Sequence, residues 1–118
     1  MADRRGDVIM VALPFTDMAR SKVRPVLIVQ NDVANEVSGN VIVVAISSRV
    51  PQRLLPVQYL IPAESQIARA AGLPKTSIVD CGVIFTIAKR RVVRKTGTLP
   101  SAAMSAVDSR LRISPGID

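Results

Sequence analysis

Short runs of β-branched residues, each closed by turn chemistry, dominate the first two-thirds of the chain. Asp7–Phe15 carries Val8-Ile9-Met10-Val11-Ala12-Leu13 and is interrupted by Pro14. Arg24–Gln30 reads Arg-Pro-Val-Leu-Ile-Val-Gln, and Asn40–Ser47 reads Asn-Val-Ile-Val-Val-Ala-Ile-Ser. Leu55–Ile61 alternates, with Val57, Tyr59 and Ile61 opposed by Gln58. Ser77–Thr86 and Val92–Leu99 bring the predicted strands to about six, at the regular spacing of a sandwich or a barrel. Positions 25–29 and 41–46 are apolar almost throughout, which predicts strands buried on one face by the core and on the other by a second layer or subunit.

Two segments change period. Pro62–Ala71 is rich in Ala, opens on Pro62 and stops at Gly72, the arrangement of a short helix. Ser101–Ile113 sets Met104, Val107 and Leu111 on one stripe behind a Ser101 N-cap, which predicts a terminal helix packed on the sheet. The connecting segments Thr16–Val23 and Ser47–Leu54 are polar and basic. Such loops between rigid strands often carry binding residues, and their alternative reading is plain solvated surface. No repeat or low-complexity tract divides the 118 residues, which suit a single domain over 1–118.

Composition narrows the partners. Hydrophobic residues at 48% and charged residues at 21% specify a folded chain. The apolar runs are too short to span a bilayer, and no apolar stretch follows Arg4-Arg5 as in a signal peptide. The single cysteine, Cys81, has no internal disulfide partner. Together these predict a cytoplasmic protein with no membrane partner. A net charge of +7 draws the chain to polyanions, namely nucleic acid or an acidic protein. Only Phe15, Tyr59 and Phe85 are aromatic, too few for a binder that works mainly by stacking bases.

Chemistry is constrained by what is missing. Histidine is absent, no metal-ligand spacing exists and no phosphate-cradling Gly-rich loop is present, so no metal and no cofactor are expected. Arg, Lys, Ser, Thr and a few carboxylates remain. One reaction suits that inventory: attack of an RNA 2′-hydroxyl on its own phosphodiester, where the substrate supplies the nucleophile. The protein then has to align the strand, move protons and stabilise a crowded, negatively charged phosphorane. A planar guanidinium suits that last task, because its paired donors match two phosphate oxygens.

Four segments carry a resemblance: Arg5-Gly6-Asp7-Val8; Arg24-Pro25-Val26-Leu27-Ile28-Val29-Gln30-Asn31-Asp32; Val43-Val44-Ala45-Ile46-Ser47; and Phe85-Thr86-Ile87-Ala88-Lys89. With a strand ending in Gly97 and Leu99 and a terminal helix, they resemble the successive motifs of MazF/PemK toxins, in order and spacing from about residue 4 to 113. The resemblance implies an SH3-like (CcdB/PemK-type), mostly antiparallel barrel of about six or seven strands, with a short helix and a C-terminal helix. It implies a metal-independent, sequence-selective endoribonuclease of a type II toxin–antitoxin system. Such an enzyme cuts single-stranded mRNA to 2′,3′-cyclic phosphate and 5′-hydroxyl ends. It also implies a homodimer, a cognate antitoxin protein with an acidic tail in the RNA groove, and operator DNA reached only through that antitoxin.

By the same resemblance, Arg24 stabilises the transition state, and Ser47 holds a phosphate oxygen or helps move a proton. The family's acidic residue falls on Gly82 and Val83 here, with Asp80 displaced by two. Positions two apart on a strand share a face, so Asp80 is a catalytic candidate; its alternative is a carboxylate capping a turn. Phe85 and Ala88 stand where many relatives carry Arg and Asp, which leaves base choice open. The RNA path is expected along Phe15, Thr16, Arg20 and Lys22 of the first loop and Ser48, Arg49, Gln52 and Arg53 of the second. Lys89, with Arg90 and Arg91, forms a further basic turn. Two other functions fit the barrel: a CcdB-like, non-catalytic gyrase inhibitor and an inactive nucleic-acid binder.

Overall fold

A computed structural model describes residues 3–14 and 21–113. Six strands form one sheet: β1 (Asp7–Pro14), β2 (Ser21–Ile28), β3 (Asn40–Ser47), β4 (Gln58–Ile61), β5 (Ser77–Ala88) and β6 (Val92–Thr98). Their order is β4-β5-β3-β2-β1-β6, and every adjacent pair is antiparallel. Three helices accompany them: α1 (Asp32–Val37), α2 (Gln66–Ala71) and α3 (Ser101–Ile113). The expected barrel of six or seven strands with a short and a C-terminal helix is therefore present with six strands and one helix more.

Both faces of the sheet are apolar, as the unbroken runs predicted. One face gathers Val8, Leu27, Val44, Ile46, Ile61 and Val79 against Ala68 and Ala71 of α2 and Ala103 and Val107 of α3. Met104 and Leu111, the rest of the predicted stripe, pack on the edge of that cluster. The other face gathers Ile9, Val11, Val26, Ile28, Val41, Val43 and Ile87, with no helix residue among them. That face is buried without a helix over it, and the irregularities between β1 and β6 and between β3 and β5 bend the sheet around it.

Several boundaries differ from the sequence reading, each for a local reason. The β1–β2 ladder runs out to Pro14 opposite Ser21, so the first loop is shorter than Thr16–Val23. Helix α2 begins at Gln66 rather than Pro62, because Ser65 is the N-cap and its Oγ accepts from the Ala68 amide at 3.1 Å. Strand β5 continues to Ala88, held by the pairing of Asn40 with Ala88.

Helix α1 was not predicted. It starts where Asn31 Oδ1 accepts from the Ala34 amide at 2.9 Å, and Asn35 beneath it exchanges hydrogen bonds with Gln30. At its first turn, the Asp32 carboxylate accepts the Arg5 amide at 2.7 Å and the Asn35 side chain at 3.1 Å. These bonds, that from Arg5 foremost, hold the Asp32 carboxyl below its ordinary value of 3.8. A carboxyl with a depressed folded-state pKa adds stability above its unfolded pKa and loses it as pH falls through the folded one. An Asp32→Asn variant is therefore expected to melt below the parent at neutral pH. The gap should begin to narrow as pH falls below about 3.8 and close only below the lowered folded-state pKa, as thermal melts across an acid series would read.

Candidate active site

The end of the sheet where β2 and β3 separate holds the candidate centre. Those strands pair Ile28 with Val43, Leu27 with Val44 and Val26 with Ala45. The ladder stops there, and just beyond it Arg24 of β2 and Ser47 at the end of β3 line one cavity. Pro25, which has no amide N–H, marks the point where the strands part. On its other side β2 stays tied to β1, with Arg24 opposite Val11 and Pro25 opposite Met10. Arg24 thus stands on fixed backbone while its side chain is exposed.

Beside the pair lies a cavity of about 550 Å³. Its floor is apolar: Met10, Pro25, Ile46, Leu73 and Pro74. Its polar rim comprises Arg24, Ser47, Ser48, Arg49, Lys75 and Ser77. Three of these are cations, and among the described residues no carboxylate lines the cavity. Among the described residues the ion pairs are Arg5–Asp108 and Lys95–Asp7, so none engages a cavity residue. Ser47 Oγ accepts the Arg49 amide at 3.1 Å. That bond fixes the hydroxyl oxygen and leaves its proton to be donated. The site offers unneutralised positive charge and hydroxyl donors above an apolar floor, the requirements for holding a phosphodiester with its base.

The structure brings together only part of the predicted set. Arg24, Ser47, Ser48 and Arg49 line the cavity. Lys22 is exposed, two residues from Arg24 on the same face of β2, but lies off the cavity. Gln52 and Arg53 are exposed on the second loop and do not line it either. Phe15, Thr16 and Arg20 fall outside the described residues.

Two predicted residues are committed elsewhere. Lys89 donates through Nζ to the Asn35 carbonyl, next to the Asn40–Ala88 pair. Seven residues of β3, at about 3.3 Å each, put that end roughly 23 Å from Ser47. Lys89 anchors α1 instead of lining the site. Asp80 sits at a bulge: β3 pairs Val44 with Ile84 and then Ala45 with Asp80, leaving Cys81, Gly82 and Val83 unpaired. Its carboxylate accepts the Gly82 amide at 3.0 Å and the Gln58 side-chain amide at 3.3 Å. That is the turn-capping alternative, and Asp80 does not line the cavity. The departure from the acidic residue expected at 82 has the same cause. A Cβ on Gly82 would meet Asp80 Oδ1 at 3.1 Å and Val57 Cγ2 at 3.4 Å, so a carboxylate there would crowd Asp80.

Cys81 is buried, donates weakly to the Val107 carbonyl at 3.8 Å, and has its thiol pushed up by burial to about 11. It stays a thiol at neutral pH and is unsuited to nucleophilic work. Among the described residues no group of three or more His, Cys, Asp or Glu could hold a metal ion, and no helix is long and apolar enough to cross a membrane.

A family model described as PemK-like, MazF-like toxin of type II toxin–antitoxin system matches residues 4–114. The chain belongs to that PemK/MazF family. Endoribonuclease EndoA of Bacillus subtilis (strain 168) is 35% identical over 115 residues, covering 97% of this chain and 95% of that protein. The same PemK/MazF fold recurs in a mycobacterial endoribonuclease solved with its cognate antitoxin. The TM-score is 0.78 at 22% identity, over 99% of this chain and 98% of that one. A MazE–MazF complex from Deinococcus radiodurans gives a TM-score of 0.76 at 19% identity, over 100% of both chains.

Sequence reasoning missed the far side of the PemK/MazF cavity, Gly72 to Lys75 with Ser77. Gly72 and Pro74 were legible as a helix stop, and Lys75 beside them is a cation on a connecting segment, the same signal that picked out Arg49. What the sequence did not show is that this loop lines the same cavity as Pro25 and Ile46.

Proposed function

We propose that the Arg24–Ser47 cavity is the cutting centre of this toxin. The chain is an endoribonuclease of a type II toxin–antitoxin system, acting on single-stranded RNA. The observation that carries the residue assignment is that Arg24 and Ser47 line one cavity where β2 and β3 part, on a rim with no carboxylate among the described residues. Arg24 donates two N–H bonds to the non-bridging oxygens of the scissile phosphate, with most effect as charge builds on the phosphorane. Ser47, its oxygen fixed by the Arg49 amide, donates its proton to a phosphate oxygen. Arg49 adds positive charge along the strand. The RNA 2′-hydroxyl attacks the adjacent phosphorus as the bond to the 5′-oxygen breaks; the 2′ proton passes to solvent water and the departing 5′-oxygen takes one from it, so the products carry 2′,3′-cyclic phosphate and 5′-hydroxyl ends. Unpaired RNA is favoured because its bases can splay onto an apolar floor, whereas an A-form duplex hides them.

The partners follow from the same charge. An acidic segment of a cognate antitoxin competes for the rim cations and so silences the toxin; operator DNA is met through that antitoxin. A second copy of the chain completes the RNA groove as a homodimer, and the work is done in the cytoplasm.

The deciding experiment incubates purified protein with single-stranded RNA and EDTA and maps the ends. Discrete cuts with cyclic phosphate ends are expected; intact RNA beside well-folded protein would sink the nuclease reading and leave the gyrase-inhibitor or inactive-binder alternatives. Asp80 gives a sharper prediction. General acid–base groups contribute about 10²–10⁴-fold, so a proton acceptor at Asp80 would make Asp80→Asn at least a hundredfold slower. Since Asp80 closes the β5 bulge, single-turnover cutting is expected to change far less than that, with the loss appearing in melting temperature.

A further inference from the structure

We infer that the cavity beside Arg24 and Ser47 is a one-nucleotide subsite, in which an unpaired base lies on the apolar floor and Lys75 holds the phosphate on the side facing away from Arg24. This deepens the RNA-cutting reading and rests on it.

The wall that carries Lys75 is built to stay put. Helix α2 ends at Gly72, in the left-handed region at φ 70, and the Leu73 amide returns to the Ala68 carbonyl at 2.9 Å. The helix end is fastened to β6 by Thr96 Oγ1, which donates to the Ala71 carbonyl at 2.8 Å. Beyond Pro74, Ser77 Oγ donates to the Lys75 carbonyl at 2.8 Å, and Thr76 Oγ1 accepts the Ala63 amide at 3.0 Å. The backbone of Lys75 is thereby braced on both sides, while its side chain is exposed and enters no ion pair among the described residues.

Size and polarity select the occupant. A volume of about 550 Å³ lies within the roughly 300–1,000 Å³ of small-molecule sites, not that of a folded protein surface. Pro25, Ile46, Leu73 and Pro74 offer a base apolar contact without an aromatic platform. Cations reach it from separate segments, Arg24 from β2, Arg49 from just beyond β3, and Lys75 from the α2–β5 loop. A nucleotide answers that arrangement: an apolar-faced ring between two phosphates. An acidic peptide would satisfy the cations but leave the floor unfilled.

The test uses a short RNA spanning the mapped cut, with a 2′-deoxy sugar at the attacking nucleotide so that it binds without being cut. Its Kd is measured across a salt series. Each phosphate neutralised on a single strand contributes a slope of about −0.7 in log K against log salt. Lys75→Gln is expected to weaken binding and flatten the slope by about that amount, and Lys75→Arg to restore the slope. Leu73→Ser is expected to weaken binding severalfold with the slope unchanged. Parent-like affinity and slope in Lys75→Gln would overturn the inference while the nuclease reading stands. So would Lys75-dependent binding of polyglutamate without Lys75-dependent binding of RNA. A parent that neither binds nor cuts RNA removes the nuclease reading, and the subsite with it.

Discussion

Arg24→Ala is expected to cut single-stranded RNA about a thousandfold more slowly than the parent and to melt at the same temperature. Removing one preorganised donor to a developing oxyanion costs about 10²–10³-fold, and removing a catalytic arginine from a phosphoryl-transfer site costs about 10³–10⁵-fold. Arg24 supplies both a paired donor and a full charge, which places the loss near the overlap of those ranges. Stability should be spared. The side chain is exposed and enters no ion pair among the described residues, and its strand pairing with Val11 uses backbone alone. Exposed substitutions of that kind stay within about 0.5 kcal/mol. Arg24→Lys should recover only part of the rate, because an ammonium keeps the charge but not the paired geometry. Single-turnover cleavage beside a thermal melt reads both halves. A parent-like rate in Arg24→Ala would remove the residue from the mechanism.

The strands were legible because their apolar residues form long, uninterrupted runs, and burial on both faces is what such runs mean. The terminal helix was legible for the complementary reason: Val107 with Met104 and Leu111 repeats at helical spacing and packs where that spacing points. Helix α1 was not, since Val33 and Val37 are exposed and its fixation comes from a buried Gln30–Asn35 exchange that no periodicity records. At the site, Arg24 and Ser47 are picked out by the family resemblance, and chain order agrees with it, because each borders an apolar run at the mouth of a buried strand. Lys89 and Asp80 could not be placed that way. Charge alone does not say that an ammonium will bond the Asn35 carbonyl, or that a carboxylate will turn onto the Gly82 amide. Lys75 lay hidden for a different reason. It reaches the cavity through the seating of α2 on β6, a contact between segments distant in sequence.

That seating gives the second large prediction. A Cβ added at Gly97 would lie 2.6 Å from the Ala71 carbonyl carbon and 2.8 Å from its Cα, and closer still to the Ala70 carbonyl oxygen. All are backbone atoms, so no side chain can swing aside. Helix α2 would have to lift from β6, breaking the Thr96–Ala71 bond and loosening Ala68 and Ala71, which are fully buried. Overpacking costs about 1–3 kcal/mol where side chains can give, so Gly97→Ala is expected to cost about 3 kcal/mol or more. For a domain near this length that is a fall in melting temperature of more than about 10 °C. The displaced helix carries Gly72 to Lys75 with it, so RNA affinity should fall even at temperatures where the variant remains folded. Arg24→Ala spares the fold and loses the chemistry, whereas Gly97→Ala, with no catalytic atom of its own, should lose stability and binding together. A Gly97→Ala protein with parent-like melting and parent-like RNA affinity would show that α2 does not hold the cavity wall in place.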